Sequence, residues 1–220
     1  MDKYDTLMNN LKEEIPFALA RFNDGEMMGI GQPGCIVARG DQVVPQDLSD
    51  ALKESLEYEQ DNYWKGLPCG QCFPEHRKLA EVYVNSEYFD KAYEYLTHAV
   101  VFTNRNWMRF IREFPQHIKG RMVYWVGGDD QNLSQLPFEV YEQHKVPAQD
   151  GWSVYSETKD LYGTFDFGSI VLAACGPMAR VLTRKWFEKR PDLTIIDIGS
   201  TFDPFTRNVW HNCHKGWETG

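Results

Sequence analysis

The sequence contains no apolar run that approaches the roughly 20 residues needed to cross a bilayer. Its first residues, Met1 to Thr6, also lack the apolar core of a secretory signal. We therefore expect a cytoplasmic protein without a membrane span. No repeat, low-complexity tract or linker interrupts the 220 residues, a length that suits one α/β domain with a hydrophobic core. We expect residues 1–220 to form a single domain.

Basic residues are scarce relative to acidic ones. The chain has 23 lysines and arginines against 32 aspartates and glutamates, which gives a net charge of -9. This balance argues against non-specific binding of nucleic acid through a broad basic face. A local basic groove is still compatible with it. Arg184, Lys185, Lys189 and Arg190 form one basic cluster, although a charged helix end is the commoner explanation.

Cysteine is used sparingly and in an odd number. The five cysteines predict free thiols in a reducing compartment. Cys69 and Cys72 have the spacing of a redox or zinc motif, and His76 follows them. A structural zinc site is possible but not favoured, because the second half of the chain lacks a matching Cys-x-x-Cys pair. A thioredoxin-like role is weaker still, since Pro68 and Pro74 place the pair in a loop.

The stretch from Phe17 to Glu26 combines an apolar segment with two acidic residues. The segment 17–22 predicts a buried strand, and Asn23-Asp24-Gly25 predicts a tight turn. Asp24 and Glu26 would then lie at the carboxyl end of the strand, where ligands bind in open α/β sheets. Two such carboxylates could share a divalent cation such as Mg²⁺ with substrate phosphates. Alternatively, the turn is an ordinary one and Glu26 offsets the dipole of a following helix.

Other apolar runs predict further strands of one sheet, mostly parallel, at 99–103, 121–126, 169–174 and 193–198. Each run ends in polar residues or glycines that could meet a ligand. These ends are Thr103-Asn104-Arg105, Gly127-Gly128-Asp129-Asp130, Cys175-Gly176-Pro177 with Arg180, and Asp197-Ile198-Gly199-Ser200 with Asp203.

Three of these strand ends have a specific chemical interpretation. Gly127-Gly128 would permit close approach of a ligand to the backbone, and Asp129 and Asp130 could cap a helix, contact a ribose or sugar, or be solvated. Gly176-Pro177 predicts a strand-to-helix junction whose N–H groups form an anion site that Arg180 could reinforce, or else an ordinary turn. Asp197 lies within an apolar run, so it should have a partner or a ligand.

Helices complete the predicted fold, a single-domain Rossmann-like α/β architecture with helices flanking the sheet. They are expected at 2–14, from 45, at 75–84, 87–97 and 106–114, and from 156 and 177, with a short edge strand near 145–147. The segment 63–68 predicts a loop. Gly29, Gly31 and Gly34 match the dinucleotide fingerprint formally, but Pro33 lies inside it and a strand-like segment follows. We predict a flexible loop there instead.

The five junctions, in this order, resemble the glycosyltransferases of the GT-D type, which have a Rossmann-like fold and a D-x-E metal motif in an R-F-G-D-G-E-like segment. The resemblance covers about residues 15 to 210. It implies transfer of a sugar from a nucleotide diphosphate donor, with Mn²⁺ or a similar ion between the diphosphate and the carboxylates of Asp24 and Glu26. It also implies that Gly176-Pro177 belongs to the nucleotide pocket. Asn23 stands where glycine is usual, and Met178 and Ser200 also depart from the family pattern, which affects donor choice and sugar contacts.

The resulting hypothesis is a metal-dependent glycosyltransferase that uses Mn²⁺ or Mg²⁺ and a donor such as a UDP-sugar. The acceptor hydroxyl would belong to a glycan or, as a minority option, to a hydroxymethylated base in viral DNA. Alternatives are a metal-dependent nucleotide-sugar or phosphoester hydrolase and a non-catalytic nucleotide-sugar-binding module. The predicted catalytic residues are Asp24, Glu26, Asp129 and Asp203, the first two as metal ligands. The predicted binding residues are Arg21, Asn104, Arg105, Gly127, Gly128, Gly176, Pro177, Arg180, Asp197, Gly199 and Ser200.

Two roles stay open at this point. An inverting enzyme needs a base on the acceptor hydroxyl, and Asp129, Asp203, His211 and His214 are all candidates. Arg21 could stabilise the leaving phosphate or could instead pair with one of the two motif carboxylates. The aromatic and imidazole-rich tail, which includes Trp210 and Trp217, is expected to fold over the site.

Overall fold

The computed structural model describes residues 2–37, 42–84 and 93–214, and its centre is a sheet of seven parallel strands. Side by side, the strands are β5 (Leu96–His98), β4 (Tyr63–Leu67), β1 (Ala18–Arg21), β9 (Thr194–Asp197), β8 (Ile170–Ala174), β6 (Val123–Gly128) and β7 (Glu142–Val146). Two short strands, β2 (Ile36–Val37) and β3 (Gln42–Val43), form a separate antiparallel pair.

Helices cover both faces of this sheet, which confirms the predicted α/β class. They are α1 (Tyr4–Lys12), α2 (Asp24–Gly31), α3 (Gln46–Glu57), α4 (Pro74–Tyr83), α5 (Trp107–His117), α6 (Tyr155–Thr158), α7 (Met178–Lys189) and α8 (Asp203–Thr206). Helix α7 packs on β1 and β9 and contacts α3, while α1 and α5 contact each other against the other core. No helix within the three described ranges is long and apolar enough to cross a membrane.

The alternation of side chains along β1 divides the interior into two hydrophobic cores. Phe17 and Leu19 enter one core, and Ala18 and Ala20 enter the other, on the side where α7 packs. All four are completely buried. Successive side chains of a strand point to opposite faces, so a strand covered on both faces reads as one continuous apolar run.

Several predicted elements differ from the observed ones. Segment 63–68, predicted as a loop, contains β4, which pairs with β1 near the middle of the sheet. Gly29 and Gly31 belong to α2 and not to a flexible loop, whereas Gly34 lies in the turn after the helix. The strand predicted at 99–103 lies instead at 96–98, and the buried residues after it form turns. Of the helix predicted at 87–97, residues 87–92 lie outside the described residues, and 93–95 form one 3₁₀ turn.

The order of the strands reverses direction next to β1. From β1 the chain proceeds outward to β4 and β5, whereas β9, β8, β6 and β7 lie on the other side of β1. Such a reversal opens a crevice outside the carboxyl ends of the strands, where ligands bind in open α/β sheets. The fold therefore indicates the carboxyl ends of β1, β9, β8 and β6 as the place to search for a site.

Candidate active site

A cleft with a volume of about 730 Å³ lies at these carboxyl ends. Nine of the residues predicted from the sequence line it: Glu26, Gly128, Asp129, Gly176, Pro177, Arg180, Gly199, Ser200 and Asp203. His211, one of the candidate bases, also lines it, as do Asp130 and Cys175 from the predicted strand ends. The remaining lining residues are Pro147, Ala148, Gln149, Ala174 and Arg207. The cleft therefore brings together residues at the carboxyl ends of five strands, β1, β6, β7, β8 and β9.

Beneath the cleft lies a cluster of two arginines and two carboxylates. Asp197 is completely buried, and its Oδ2 accepts a hydrogen bond from the backbone N–H of Arg21 at 3.0 Å and lies 3.0 Å from Arg180 Nε. Arg180 Nη2 lies 3.2 Å from Glu26 Oε1. Two positive and two negative charges balance, which is what burial of charged groups requires. Asp197 thus has the partner that its apolar surroundings predicted.

Arg21 forms a structural ion pair, one of its two predicted roles, but its partner is Asp197 and not Asp24 or Glu26. Its Nη2 lies 3.8 Å from Asp197 Oδ1 and its Nη1 donates to the carbonyl of Ala99 at 3.2 Å. Burial lowers the pKa of Arg21, and Asp197 counteracts this effect. For Arg180, burial again lowers the pKa, but Asp197 and Glu26 outweigh it, so the pKa is raised. Both guanidinium groups therefore carry their charge in the interior.

Glu26 connects this cluster with the start of α2. Its Oε2 accepts a hydrogen bond from the backbone N–H of Asn23 at 3.0 Å, the return contact of a capping box. Asn23, which departs from the family pattern, is the N-cap of the helix, a position that favours asparagine. Asp24 is half-buried at the first helical position and is not one of the lining residues. Residues two apart on a helix do not face the same way, so only Glu26 reaches the cleft.

Two glycines make the sharp turns that close the floor of the cleft. Gly176 and Gly199 have positive φ angles of 62° and 49°, a region that only glycine adopts freely. A Cβ on Gly199 would lie 2.1 Å from Arg21 Nη2. After Gly176, helix α7 begins, and Arg180 Nη1 donates to the Gly176 carbonyl at 2.6 Å. The predicted strand-to-helix junction is therefore present beside the cleft.

A second charged network forms the opposite wall. Arg207 Nε and Nη2 donate to the two carboxylate oxygens of Asp130 at 2.7 and 2.8 Å. Arg207 Nη1 also donates to Asp203 Oδ1 at 2.9 Å, and Asp203 Oδ2 lies 2.8 Å from His211 Nε2. Asp203 itself is only 2% exposed. One arginine thus fixes two carboxylates, and the buried one of these contacts an imidazole that faces the cleft.

The tail was predicted to fold over the site, and of its described part His211 lines the cleft, whereas Trp210 and His214 do not. Trp217 lies outside the described residues. His214 Nδ1 accepts a hydrogen bond from the backbone N–H of His211 at 3.1 Å. Its Nε2 lies 3.0 Å from the Ser200 carbonyl, to which it donates when Nε2 carries the proton. Burial lowers the pKa of His214, and its ring lies against Trp107 at 5.1 Å between centroids. His214 therefore anchors the tail and does not line the cleft.

Other predicted site residues lie outside the cleft. Arg105 Nη2 contacts Asp2 Oδ2 at 2.5 Å on the surface, and Asn104 begins the same 3₁₀ turn with a positive φ of 51°. A Cβ on Gly127 would lie 2.1 Å from the Oε1 atom of Gln131. Gly127 was predicted to let a ligand approach the backbone. In the structure, the space that its missing side chain leaves is occupied by the side chain of Gln131.

No group of three or more His, Cys, Asp or Glu side chains in the described part of the chain is arranged to hold a metal ion. Cys69 and Cys72 are free thiols. Hydrogen bonds from the Cys72 and Gln71 backbone lower the pKa of Cys69. Cys175, which lines the cleft, is buried, and burial raises its pKa to about 12. Its thiol is therefore protonated at neutral pH.

Among the described residues, the charges that line the cleft sum to -2, from the carboxylates of Glu26, Asp129, Asp130 and Asp203 against the guanidinium groups of Arg180 and Arg207. The two signs are unevenly placed. Arg180 lies beside the start of α7, whose N–H groups carry partial positive charge. Three of the four carboxylates lie on the opposite wall, at the end of β6 and on α8. One wall thus suits an anion and the other does not.

Sequence reasoning missed two parts of this cleft, Arg207 and the segment after β7. Arg207 follows Asp203 by four residues, a spacing at which opposite charges on a helical turn meet. The segment Pro147-Ala148-Gln149 follows β7, whose half-exposed pattern gives a weak strand signal. The i, i+4 spacing from Asp203 is the signal that could have identified Arg207. The segment after β7 lines the cleft because β7 is the neighbour of β6 in the sheet.

Comparison with known proteins identifies the fold. No family model and no curated protein matches the chain. Among solved structures, it is similar to a domain of unknown function 1792 described as having a distinct glycosyltransferase fold, with a TM-score of 0.68 and 17% identity over 92% of this chain and 79% of that chain. A glycosyltransferase of the same domain type from Streptococcus sanguinis gives a TM-score of 0.64 and 17% identity over 92% of this chain and 82% of that chain. The protein therefore has this glycosyltransferase fold, and the resemblance to the GT-D type is confirmed at the level of the fold.

Proposed function

We propose that this protein is a glycosyltransferase that moves a sugar from a nucleoside diphosphate donor, a uridine diphosphate sugar, to a hydroxyl group of an acceptor. The observation that supports this most directly is the cleft at the strand reversal, in which Glu26, Arg180 and the Asp203–His211 pair surround one space. The same fold occurs in proteins named as glycosyltransferases. Fold alone does not define an activity, so the proposal depends on the residues of this cleft.

The donor side of the cleft suits the leaving group of the reaction. When the bond between the anomeric carbon and the diphosphate breaks, negative charge develops on the phosphate oxygens. The N–H groups at the start of α7 and the guanidinium of Arg180 are the positive groups on that wall, and such groups stabilise a developing anion in a site from which water is excluded.

A divalent cation, Mn²⁺ or Mg²⁺, is part of this proposal. The lining already has a net charge of -2, so a diphosphate needs an additional positive charge to bind there. Glu26 uses each carboxylate oxygen for one contact, and a carboxylate has about four lone-pair sites, so it fits a metal ligand. Asp24, at the start of the same helix, is the second candidate of this proposal; its side chain lies outside the lining and would have to turn toward the ion, with phosphate and water completing the shell. Bound there, the ion would supply charge stabilisation without a proton.

The acceptor in this proposal is a glycan hydroxyl. The basic cluster that could have favoured DNA is neutralised by neighbouring carboxylates: Arg184 pairs with Glu54 and Glu188, and Arg190 pairs with Asp192. We expect no salt-dependent retention of the protein on DNA-cellulose. Retention that falls steeply with salt would instead favour a DNA acceptor.

A thermal-shift screen of nucleotide sugars, with and without Mn²⁺, tests the donor proposal. A ligand at 100 times its Kd stabilises by about 2.7 kcal/mol, which raises the Tm of a protein of this size by about 5–10 °C. We expect this shift with a UDP-sugar only when Mn²⁺ is present. Glu26→Gln and Asp24→Asn should weaken it, and Asp50→Asn, an exposed carboxylate on α3, should not.

Turnover separates the enzyme from its alternatives. With a UDP-sugar, Mn²⁺ and a panel of glycan acceptors, we expect UDP release that depends on the acceptor. Rapid and complete release of sugar without an acceptor would favour a hydrolase. Metal-dependent binding with no turnover on any acceptor would favour a binding module. The absence of a thermal shift with every nucleotide sugar would contradict the proposal itself.

A further inference from the structure

We propose that His211 is the general base that removes the proton from the acceptor hydroxyl, and that Asp203 is the positioning residue that holds it. This inference rests on the proposed function, because it assigns a role to the acceptor side of the same cleft. Both residues line the cleft, and the pair is joined by the 2.8 Å contact between Asp203 Oδ2 and His211 Nε2.

Each carboxylate oxygen of Asp203 contacts a different side chain. Oδ1 accepts from Arg207 Nη1 at 2.9 Å, while Oδ2 faces His211. Arg207 is itself held by two hydrogen bonds to Asp130. The side chain of Asp203 is 3% exposed, whereas that of His211 is 27% exposed. A buried carboxylate thus orients a ring that is accessible from the cleft, the arrangement that a general base needs.

The Asp203 contact also selects the tautomer of His211. A carboxylate oxygen beside Nε2 favours the proton on that nitrogen, which leaves the lone pair of the neutral ring on Nδ1. The 2.8 Å contact with Asp203 Oδ2 also fixes the orientation of the ring. Among the residues that the structure describes, charged or titratable groups near the ring include Arg207, His214, Asp129 and Asp130.

The position of the pair in the cleft indicates the acceptor and not the donor. Asp129, Asp130 and Asp203 give this wall an excess of negative charge over Arg207, so a diphosphate is repelled there, while an uncharged hydroxyl is not. The positive start of α7 lies on the other wall. A donor held by its diphosphate at α7 would place its anomeric carbon between the two walls.

The reaction balances without any further reagent. The acceptor oxygen forms a bond to the anomeric carbon while the bond from that carbon to the diphosphate oxygen breaks. The electron pair leaves with the nucleoside diphosphate, and the hydroxyl proton moves to Nδ1 of His211. Attack opposite the leaving group inverts the anomeric configuration, so an α-linked donor should give a β-linked product.

The test uses the full chain with the donor and acceptor that give the highest turnover, and compares His211→Gln with His117→Gln, a control at the end of α5. We expect His211→Gln to keep the donor-induced thermal shift and to lose about 10²- to 10⁴-fold in kcat. The fall in kcat at low pH should also disappear. In His211→Gly, added imidazole should restore turnover, which a purely structural defect would not allow.

Asp203→Asn is tested by a spectroscopic signal in addition to kcat. In the wild type, the ring ¹⁵N shifts of His211 should show the proton on Nε2, and in Asp203→Asn they should show a mixture of tautomers. If His211→Gln retains kcat within about threefold, or if the product keeps the donor's anomeric configuration, the assignment of the base is wrong. If the wild type shows no donor shift and no transfer, the proposed function fails first, and this inference falls with it.

Discussion

Replacement of Asp197 by asparagine should destabilise the protein far more than its small change in shape suggests. The carboxylate is completely buried, and its Oδ2 is 3.0 Å from both the Arg21 backbone nitrogen and Arg180 Nε. An asparagine in the same place has one acceptor atom and one NH₂ group. If the amide oxygen takes the Oδ2 position, both contacts persist without the negative charge. If the amide nitrogen takes that position, its N–H groups face the N–H groups of Arg21 and Arg180.

The magnitude follows from the charges that remain. Without Asp197, the guanidinium groups of Arg21 and Arg180 stay buried with Glu26 as the only carboxylate among the four clustered residues. Loss of one partner from a buried ion pair costs about 3–5 kcal/mol, because an uncompensated charge stays in the interior. Total stabilities of domains are about 5–15 kcal/mol. For a chain of this length the expected loss in Tm is about 6–20 °C.

Urea unfolding, followed by circular dichroism, measures this loss as a change in the free energy of unfolding. Asp50→Asn is the matched control, because its side chain is 56% exposed and pairs with Lys53 at 3.2 Å on the surface. Such a pair contributes about 0–1 kcal/mol. If Asp197→Asn unfolds within about 1 kcal/mol of the wild type, the interpretation of the cluster as a balanced buried set is refuted.

Two further changes test other physical features of the fold. Gly199→Ala should cost about 1–3 kcal/mol in urea unfolding, because φ is 49° there and the new Cβ would lie 2.1 Å from Arg21 Nη2. Lys65→Met should stabilise the protein at pH 7, since burial lowers the pKa of Lys65 from 10.5 to about 8. The folded state then binds fewer protons than the unfolded state between those pH values, so wild-type stability should rise with pH across that window. The gain in the free energy of unfolding from Lys65→Met is at most about 3 kcal/mol. It should vanish above pH 10.5, where the lysine is neutral in both the folded and the unfolded state.

Each of these changes has a matched control. At Gly163 a new Cβ would meet nothing within 4 Å, so Gly163→Ala should leave stability nearly unchanged. The side chain of Lys78 is 71% exposed, and Lys78→Met should show no dependence on pH. Equal effects at Gly199 and Gly163 would contradict the close contact with Arg21. A Lys65 variant whose advantage is the same at pH 7 and pH 10 would contradict the depressed pKa.

The parallel strands next to the site could be predicted because burial on both faces leaves a simple signal. The segments that form β1, β6, β8 and β9 read as continuous apolar runs, and the polar groups after them gather at one edge of the sheet. Strand β4 has the same environment but contains Lys65 and Gly66 and precedes a proline. A Cβ on Gly66 would lie 3.0 Å from the Ala99 Cα. The glycine that obscures the strand in the sequence is thus required by its packing.

The glycines of α2 misled the prediction for a similar reason. Glycine is unfavourable inside helices, so the glycine-rich segment after Glu26 predicts a loop. In the structure, a Cβ on Gly29 would lie 2.9 Å from a methyl group of Val44, and one on Gly31 would lie 3.1 Å from Leu79. Tertiary packing overrides the local preference here, and packing partners of this kind are not visible in a single sequence.

Charge pairing in the site was the least predictable part, because it follows strand order and not distance along the chain. Arg21 lies close in sequence to Asp24 and Glu26, yet its buried partner is Asp197, 176 residues away. That pairing exists because β1 and β9 are neighbours in the sheet. Only the order of the strands, which the apolar runs do not encode, decides between these partners.

The same connectivity separates the two halves of the proposed reaction. Glu26 is held by Arg180, and Arg180 by Asp197, so the donor side depends on the pairing of the first and last strands. The acceptor side depends on Asp203, Arg207 and the tail. Damage to the β1–β9 pairing should therefore reduce stability and donor binding together. Replacement of the half-exposed His211 should reduce turnover but leave stability and donor binding nearly unchanged. This difference in response distinguishes a structural ion cluster from a catalytic one.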